Sequence, residues 1–220
     1  MTSTNQAVQT IAGAAAALPL PNVDTDQIMP KQFLKGIDRQ GLAKGFLHDM
    51  RFDAAGRPRS DFVLNQAPWA SARFLITGPN FGCGSSREHA VWGLRELGIR
   101  CVLGTSFGGI FSDNCIRNGV PALVLPAAQI ERLMALAKNP DHCHLTLDLS
   151  AQTVHTPADG QSLRFEIDAL HKEMLLNGLD AVGMSLKHAP HIRDFEDRYL
   201  AAKPWTVAPT AQETAHGSLL

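Results

Sequence analysis

The chain has no Cys-x-x-Cys pair, no block of lysine and arginine, and no long apolar run. Its four cysteines, Cys83, Cys101, Cys115 and Cys143, stand too far apart to form a zinc-ribbon or iron–sulfur ligand set. A net charge of −1 without a basic block excludes the usual nucleic-acid footprint. Because no run is long enough to cross a bilayer and no basic residue precedes Lys31, we expect a cytoplasmic chain with reduced thiols, not bound to a membrane.

What is present indicates an ordinary globular α/β protein. Of 220 residues, 45% are hydrophobic and 19% are charged, which is enough for one full core. From residue 73, short apolar strands alternate with amphipathic helices, and period-two segments typical of hairpins follow. Residues 31–72 are broken by glycines and are predicted to be loop-rich with short helices. We expect one domain over residues 1–203 and a disordered tail over residues 204–220.

The segment "NFGCGSSREH", residues 80–89, joins a predicted strand, "RFLIT", to a predicted helix. Ser85 and Glu88 have the spacing of a capping box, in which each side chain satisfies an end N–H of the helix. A cap does not need two glycines, a second serine and an arginine, however. The N-terminus of a helix attracts anions, and the guanidinium of Arg87 can hold a carboxylate with two hydrogen bonds. The sequence therefore predicts an anion site for a carboxylate, with a serine hydroxyl close by.

A second acidic motif, "NVDTDQIMP", covers residues 22–30. Its alternating Asn and Asp resemble half of a calcium loop, but Gln27 and Phe33 stand where such a loop needs Gly and Glu, so no metal is predicted here. Two interpretations stay open at this point. Asp24 and Asp26 either cap a short helix, or one of them orients a histidine or arginine across a cleft.

Taken together and in this order, "PNVDTDQIMPKQFLK", "NFGCGSSREHAVWGL", "SFGGIFSDNCIRNGVPALVL" and "FEIDALHKEMLLNGLDAVGMSL" resemble the small subunits of bacterial 3-isopropylmalate dehydratases. These subunits are the detached swivelling domain of the aconitase superfamily. The likeness runs over nearly the whole chain, and it implies a single swivelling β/β/α domain, with a mixed sheet and flanking helices.

The resemblance also implies roles for single residues. Ser85 matches the base that takes a proton next to the carbon losing hydroxide. Ser86 and Arg87 match groups that bind a substrate carboxylate and stabilise the deprotonated serine, and Gly84 stands beside them in the binding loop. Asp26 matches an aspartate that pairs with a histidine of the partner chain.

Further implications concern the substrate and the partner. The segment 31–35 matches a loop over the site, in which Lys31, Phe33 and Leu34 help to read the substrate's side chain. The implied reaction interconverts 2-isopropylmalate and 3-isopropylmalate, which are hydroxy-dicarboxylates, through 2-isopropylmaleate in leucine biosynthesis. The family uses a [4Fe–4S] cluster, and since this chain has no ligand set for one, we expect the cluster on a large subunit and Cys83 only to pack.

Some residues depart from the family pattern. Gln40-Gly-Leu-Ala-Lys-Gly replaces an expected Thr-Gly-Phe-Gly, and Met50 replaces a usual tryptophan. A related dehydratase for citramalate, homocitrate or dimethylmalate therefore stays open, as does a non-catalytic carboxylate-binding module. The hypothesis of a metal-free serine hydrolase has less support, because the sequence has no Gly-x-Ser-x-Gly elbow and His89 lies one helical turn beyond Ser85.

Overall fold

A computed structural model describes residues 5–35 and 40–206 of the chain. The chain divides into two compact units, residues 1–180 and residues 181–220. The first unit holds one sheet and the helices around it. The second consists of α7, Ala181–Leu186, α8, Ala189–Ala202, and the short 3-10 helix Pro204–Thr206. Residues 207–220 of the predicted tail lie outside the described residues, so its disorder stays a prediction.

Seven strands form one mixed sheet in the order β4-β3-β2-β1-β5-β6-β7. Strands β1 to β4 are parallel, whereas β1, β5, β6 and β7 are antiparallel, so β1 joins the two halves. The strand bounds are β1 Thr10–Leu18, β2 Phe74–Thr77, β3 Cys101–Gly104, β4 Ala122–Val124, β5 His144–Asp148, β6 Thr153–Thr156 and β7 Gln161–Arg164. The predicted α/β class is confirmed.

The helices of the first unit are α1 Thr25–Ile28, α2 His48–Arg51, α3 Glu88–Leu97, α4 Gly109–Arg117, α5 Ala127–Ala137 and α6 Ala169–Asn177. Short 3-10 helices cover Lys31–Phe33, Leu42–Lys44, Val63–Asn65 and Trp69–Ser71. In the described residues, none of the helices has the length and hydropathy that a membrane span requires. Helix α3 connects parallel strands β2 and β3, as such connections require.

The predicted loop-rich character of residues 31–72 is confirmed for residues 31–35 and 40–72, but the irregular spacing of its apolar residues does not keep this segment out of the core. Leu42, Phe46 and Leu47 are buried, and they join the cluster formed by α3, β1 and β2. The carboxylate of Glu96 on α3 accepts hydrogen bonds from the Gly41 and Ala43 N–H groups, at 2.6 and 2.7 Å. The long connection between β1 and β2 is thereby attached to the helix that follows the candidate site.

Candidate active site

The loop of residues 78–87, which follows β2, is bound along its length to the acidic motif. The N–H groups of Asn22, Gly82 and Thr25 donate to Pro79 O, Val23 O and Cys83 O, at 2.9, 2.8 and 2.9 Å. The Thr25 hydroxyl donates to Ser85 O at 2.8 Å, and Asn80 Nδ2 donates to Asn22 Oδ1 at 2.9 Å. Two motifs that lie about sixty residues apart in the sequence therefore form one structure, at the carboxyl end of the parallel strands.

Two glycines in this region are required by close backbone approach. Gly82 has a φ of 76°, and a Cβ atom there would lie 2.2 Å from Phe111 Cγ. A Cβ atom on Gly108 would lie 2.3 Å from Gly82 O, where the next strand-to-helix loop crosses the first. A larger residue at either position would separate the loops, so the glycines serve packing as well as the turn.

Ser85, Ser86 and Arg87 lie directly before the first residue of α3. Both serines are exposed and Arg87 is half-buried. In the part of the chain that the structure describes, no side chain caps α3, whose N-cap residue is Arg87. The positive end of the helix is thus uncapped beside two hydroxyl groups and a guanidinium, an arrangement suited to a carboxylate or an alkoxide.

The predicted capping box of Ser85 and Glu88 is wrong. Gly84 has a φ of 92°, and the bond from Thr25 to Ser85 O holds the chain outside the helix, so α3 begins at Glu88. Glu88 is the first helical residue instead of the third, and its Oε1 accepts a hydrogen bond from Asn118 Nδ2 at 2.8 Å. The residue directly after α4 therefore binds the carboxylate that the local spacing had assigned to a cap with Ser85.

The two aspartates of the acidic motif have different partners. Asp24 caps α1: its Oδ1 accepts from the Gln27 N–H at 2.7 Å, and Gln27 Oε1 accepts from the Asp24 N–H at 2.9 Å. Asp26 lies beside Arg87, with 3.4 Å between Oδ1 and Nε. Within the described residues these two buried atoms have no hydrogen-bond partner, so their contact is ionic only. The structure thus places Asp26, Arg87 and the two serines together.

The segment proposed to read the substrate's side chain follows α1. Lys31 is exposed, whereas Phe33 and Leu34 are half-buried and pack against the core. The Phe33 ring lies 4.8 Å from the ring of His48, and a Cβ atom on Gly45 would lie 2.7 Å from Phe33 Cγ. The described contacts of Phe33 are therefore within this chain, and its role in substrate binding stays a prediction.

Sequence reasoning missed two residues of this site. Thr25 is buried, and its hydroxyl group donates a hydrogen bond to the Ser85 carbonyl group. It stands between the two aspartates that the sequence analysis considered. Asn118 is also buried, and it links Glu88 to the Trp92 indole N–H, which donates to Asn118 Oδ1 at 3.1 Å. The His89 ring contacts the Trp92 ring in a tilted arrangement, with 4.6 Å between ring centroids and 53° between ring planes. The "DTD" spacing could have drawn attention to Thr25, whereas no local signal marks Asn118.

The cysteines of this chain do not fit an iron–sulfur cluster. In the described residues, no group of three or more His, Cys, Asp or Glu side chains could hold a metal ion. Burial raises the pKa values of Cys101 and Cys115 far above the usual value, and burial also raises the pKa of Cys143. Since the thiolate is the ligating form, these three side chains are poor cluster ligands.

Comparison with known proteins identifies the family. The model of the aconitase C-terminal domain matches residues 5–128, and the LeuD_N model matches residues 131–169. The model of the C-terminal domain of 3-isopropylmalate dehydratase small subunits matches residues 182–208. The chain is 51% identical over 195 residues to the 3-isopropylmalate dehydratase small subunit 1 of Mannheimia succiniciproducens, covering 89% of this chain and 96% of that protein.

A second relative and a solved structure agree. The chain is 48% identical over 201 residues to the 3-isopropylmalate dehydratase small subunit 2 of Salmonella typhimurium, covering 91% of this chain and 96% of that one. The crystal structure of the 3-isopropylmalate dehydratase of Methanocaldococcus jannaschii superposes with a TM-score of 0.61 at 27% identity, over 85% of this chain and 99% of that one. The chain belongs to the family of 3-isopropylmalate dehydratase small subunits.

Proposed function

We propose that this chain is the small subunit of a cytoplasmic two-chain hydro-lyase. It isomerises 2-isopropylmalate to 3-isopropylmalate through 2-isopropylmaleate, in leucine biosynthesis. The observation that carries the proposal is the junction of the two motifs, in which Asp26 and Arg87 stand beside Ser85 and Ser86 at the uncapped start of α3. Family membership supplies the substrate class, and the junction supplies groups suited to its carboxylates.

Ser85 is the proposed base for the proton transfer. A serine hydroxyl is a very weak acid, so its alkoxide must be stabilised strongly before it can accept a proton from carbon. The N-terminus of α3 and the guanidinium of Arg87 supply a fixed positive field at that point. In the proposed step, the Ser85 oxygen takes the proton from the carbon next to the one that loses hydroxide, and returns a proton during hydration.

Ser86 and Arg87 are the proposed carboxylate grip. A guanidinium offers a planar fork of N–H donors, which matches the two oxygens of a carboxylate. Asp26 contacts the Nε side of Arg87, Nη1 donates to Ser86 O at 3.5 Å, and the remaining N–H groups are the proposed substrate donors, so Asp26 acts as a positioning residue. Gly84, Lys31, Phe33 and Leu34 complete the proposed binding set.

A large subunit must complete this site. Ser85 and Ser86 are exposed, and a solvated alkoxide would be protonated by water, so a second chain is needed to close the pocket. Asp26 Oδ1 and Arg87 Nε are buried against each other, but the Asp26 side chain is 45% exposed and the Arg87 side chain 29%, so their other polar atoms can meet a donor and an acceptor of a partner. We propose that the large subunit brings these groups, including a histidine for Asp26, and carries the [4Fe–4S] cluster that this chain cannot ligate.

The first test is an anaerobic assay on 2-isopropylmaleate with the chain alone, with a cluster-loaded large subunit alone, and with both. The proposal expects the alkene absorbance to decrease only in the mixture. Turnover by the chain alone would overturn it. In the same mixture, citramalate, homocitrate and dimethylmalate test the related substrates, which the departures from the family pattern at residues 40–45 and at Met50 leave open.

The second test replaces the proposed base. Ser85→Ala should lower kcat by roughly 10²-fold or more, on the scale of losing one preorganised catalytic group. Ser150→Ala makes the same chemical change at an exposed turn after β5 and should leave kcat unchanged. Near-normal turnover by Ser85→Ala would remove this serine from the mechanism. Tight binding of a dicarboxylate to the lone chain that Arg87→Gln abolishes, measured by calorimetry, would favour a binding module at this site instead.

A further inference from the structure

A pocket of about 330 Å³ lies at the amino ends of β2 and β3, at the end of these strands opposite to the candidate active site. Three arginines line it, Arg73, Arg95 and Arg100, together with Gln6, Thr10 and Gly119. Among the described residues that line it, none is acidic. The pocket therefore gathers positive charge from three separate points of the chain.

The sheet itself brings two of these arginines together. Arg73 is the residue before β2 and Arg100 the residue before β3, and β2 and β3 are parallel neighbours. The Arg100 N–H donates to Arg73 O at 2.7 Å, and the Cys101 N–H donates to the same oxygen at 3.1 Å. Arg100 Nη1 donates to the carbonyls of Arg95 and Ile99, at 2.6 and 2.9 Å, which fixes the direction of this guanidinium.

A glycine in β1 makes room for Arg73. A Cβ atom on Gly13 would lie 2.5 Å from Arg73 Cγ and 3.0 Å from Arg73 Cβ, so any larger residue would displace the arginine. Glycine in the interior of a strand weakens the strand, and it commonly marks a close approach of other atoms. Here the absent side chain lets Arg73 lie across β1 at the pocket.

The positive charges act on one another at this end of the sheet. Burial lowers the pKa of Arg100, and the charges of Arg73 and Arg95 lower it further. Within residues 5–35 and 40–206, no ion pair involves Arg73 or Arg100. Arg95 donates to Asn5 Oδ1 at 3.3 Å. Arg95 and Arg100 are half-buried and Arg73 is exposed; like charges held near one another repel, and an anion that binds between them reduces this cost.

We propose that this pocket binds a small anion with two or more negative charges, carried by phosphate or carboxylate groups, between Arg73 and Arg100. The fork of a guanidinium suits both groups, and the pocket has the volume of the smaller ligand sites in proteins. Arg73 and Arg100 repel each other at the starts of β2 and β3, and a bound anion attracts both. It therefore stabilises the folded chain, and it does so without contact to Ser85 or Arg87.

The test measures binding to the full chain by calorimetry and thermal unfolding at low ionic strength, with pyrophosphate in one arm and citrate in the other. Arg73→Gln and Arg100→Gln each remove one charge and keep a long polar side chain. Each should weaken binding roughly tenfold, the scale of one charge-assisted hydrogen bond, and should reduce the rise in Tm. Gly13→Ala keeps every charge but displaces Arg73, so it should weaken binding as well.

Two controls separate this pocket from other positive groups. Arg117→Gln makes the same charge change on an exposed residue of α4 that does not line the pocket, and Arg87→Gln removes the guanidinium of the candidate active site. Both variants should bind the anion as wild type does. Tighter binding of pyrophosphate would identify phosphate as the chemistry, and tighter binding of citrate would identify carboxylate. No binding of either anion to wild type, or equal weakening by either control, would overturn the proposal.

Discussion

Arginine side chains lie at both ends of the parallel strands, but Arg87 at the carboxyl end and the pair Arg73 and Arg100 at the amino end have different partners. At the carboxyl end, Arg87 lies 3.4 Å from Asp26, on a loop held by hydrogen bonds from the acidic motif. At the amino end, Arg73 and Arg100 lie beside one another with no ion pair in the part of the chain that the structure describes. The contact with Asp26 holds the guanidinium of Arg87 in one orientation, whereas at the amino end the positive charges of Arg73 and Arg100 lie near each other.

The difference shows what each end is suited to do. An arginine that is held by an acid has a defined orientation, so its remaining N–H donors are suited to orient a substrate carboxylate. The positive charges of Arg73 and Arg100 are not offset by an ion pair among the described residues, which favours attraction of a small anion over chemistry. Substitutions at the carboxyl end should therefore change turnover, whereas substitutions at the amino end should change anion binding.

The largest expected effect is on turnover at the carboxyl end. Arg87→Gln should lower kcat by about 10²-fold in the complex with the large subunit, because it removes both the carboxylate fork and the field on Ser85. Arg100→Gln removes the same charge at the amino end and should leave kcat within about twofold. A similar loss of turnover in both variants would break the comparison.

Removing the acid of the pair tests orientation. Asp26→Asn should raise KM by about fivefold, the scale of one partly exposed ion pair, with a smaller change in kcat. The separate KM and kcat effects distinguish a positioning residue from a general loss of folding. Asp24→Asn keeps an acceptor at the cap of α1 and should change neither parameter. An equal fall in kcat for both variants would contradict the role of Asp26.

The bond between the two motifs should be visible in stability. Thr25→Val removes the hydroxyl that donates to Ser85 O, and should lower the free energy of unfolding by about 1 kcal/mol in a urea titration. Thr153→Val makes the same change in β6 and should cost less. Turnover should fall in Thr25→Val because Ser85 is less well placed. Unchanged stability together with unchanged turnover would mean that this bond does not organise the loop.

The smallest expected effect is on the pH dependence of stability. It concerns an arginine that lies at neither end of the parallel strands. Arg132 on α5 pairs with Asp159, and hydrogen bonds from Thr156 and then Arg132 lower the pKa of Asp159 from 3.8 to about 2. Because the unfolded chain then binds more protons than the folded one, this carboxylate stabilises the fold above about pH 4, and the contribution is lost as pH falls from about 4 to about 2.

Asp159→Asn should therefore flatten the dependence of stability on pH in that interval. The measurement is the denaturation midpoint at several pH values between about 2 and 5. Asp141→Asn, at an exposed turn before β5, is the matched control. Equal flattening by both variants would show that the Asp159 pair does not cause the slope.

Much of the fold could be predicted from local patterns. The buried run of β2, the apolar face of α3 and its end at Gly98 follow from spacing and from a left-handed glycine, and all three are present. The predicted helix in "AAQIERLMALAKN" and the strands in "HLTLDLS", "QTVHT" and "SLRFEI" are present as well. The short helix α7 was not predicted, since six residues carry too little periodicity to be recognised.

Other features depended on partners far along the chain. The strand order places β1 between β2 and β5, which no short segment encodes. Glu88 accepts from Asn118 instead of capping with Ser85, because α4 lies close to the start of α3 in space. Phe46 and Leu47 are buried in the core although the apolar residues of this segment are irregularly spaced. A nearby backbone N–H group donates a hydrogen bond to Glu96 on α3, and the two side chains pack in the same cluster as that helix.

The sequence by itself therefore determined the residue types of the candidate site, the helix that follows the loop, and the family, since hydrophobic period and motif order are local properties. Only the tertiary structure decided which aspartate meets Arg87, where α3 begins, and that Arg73 and Arg100 meet at the other end of the strands. These outcomes depend on hydrogen bonds and charges between distant segments, and their energies arise only when the sheet brings those segments together.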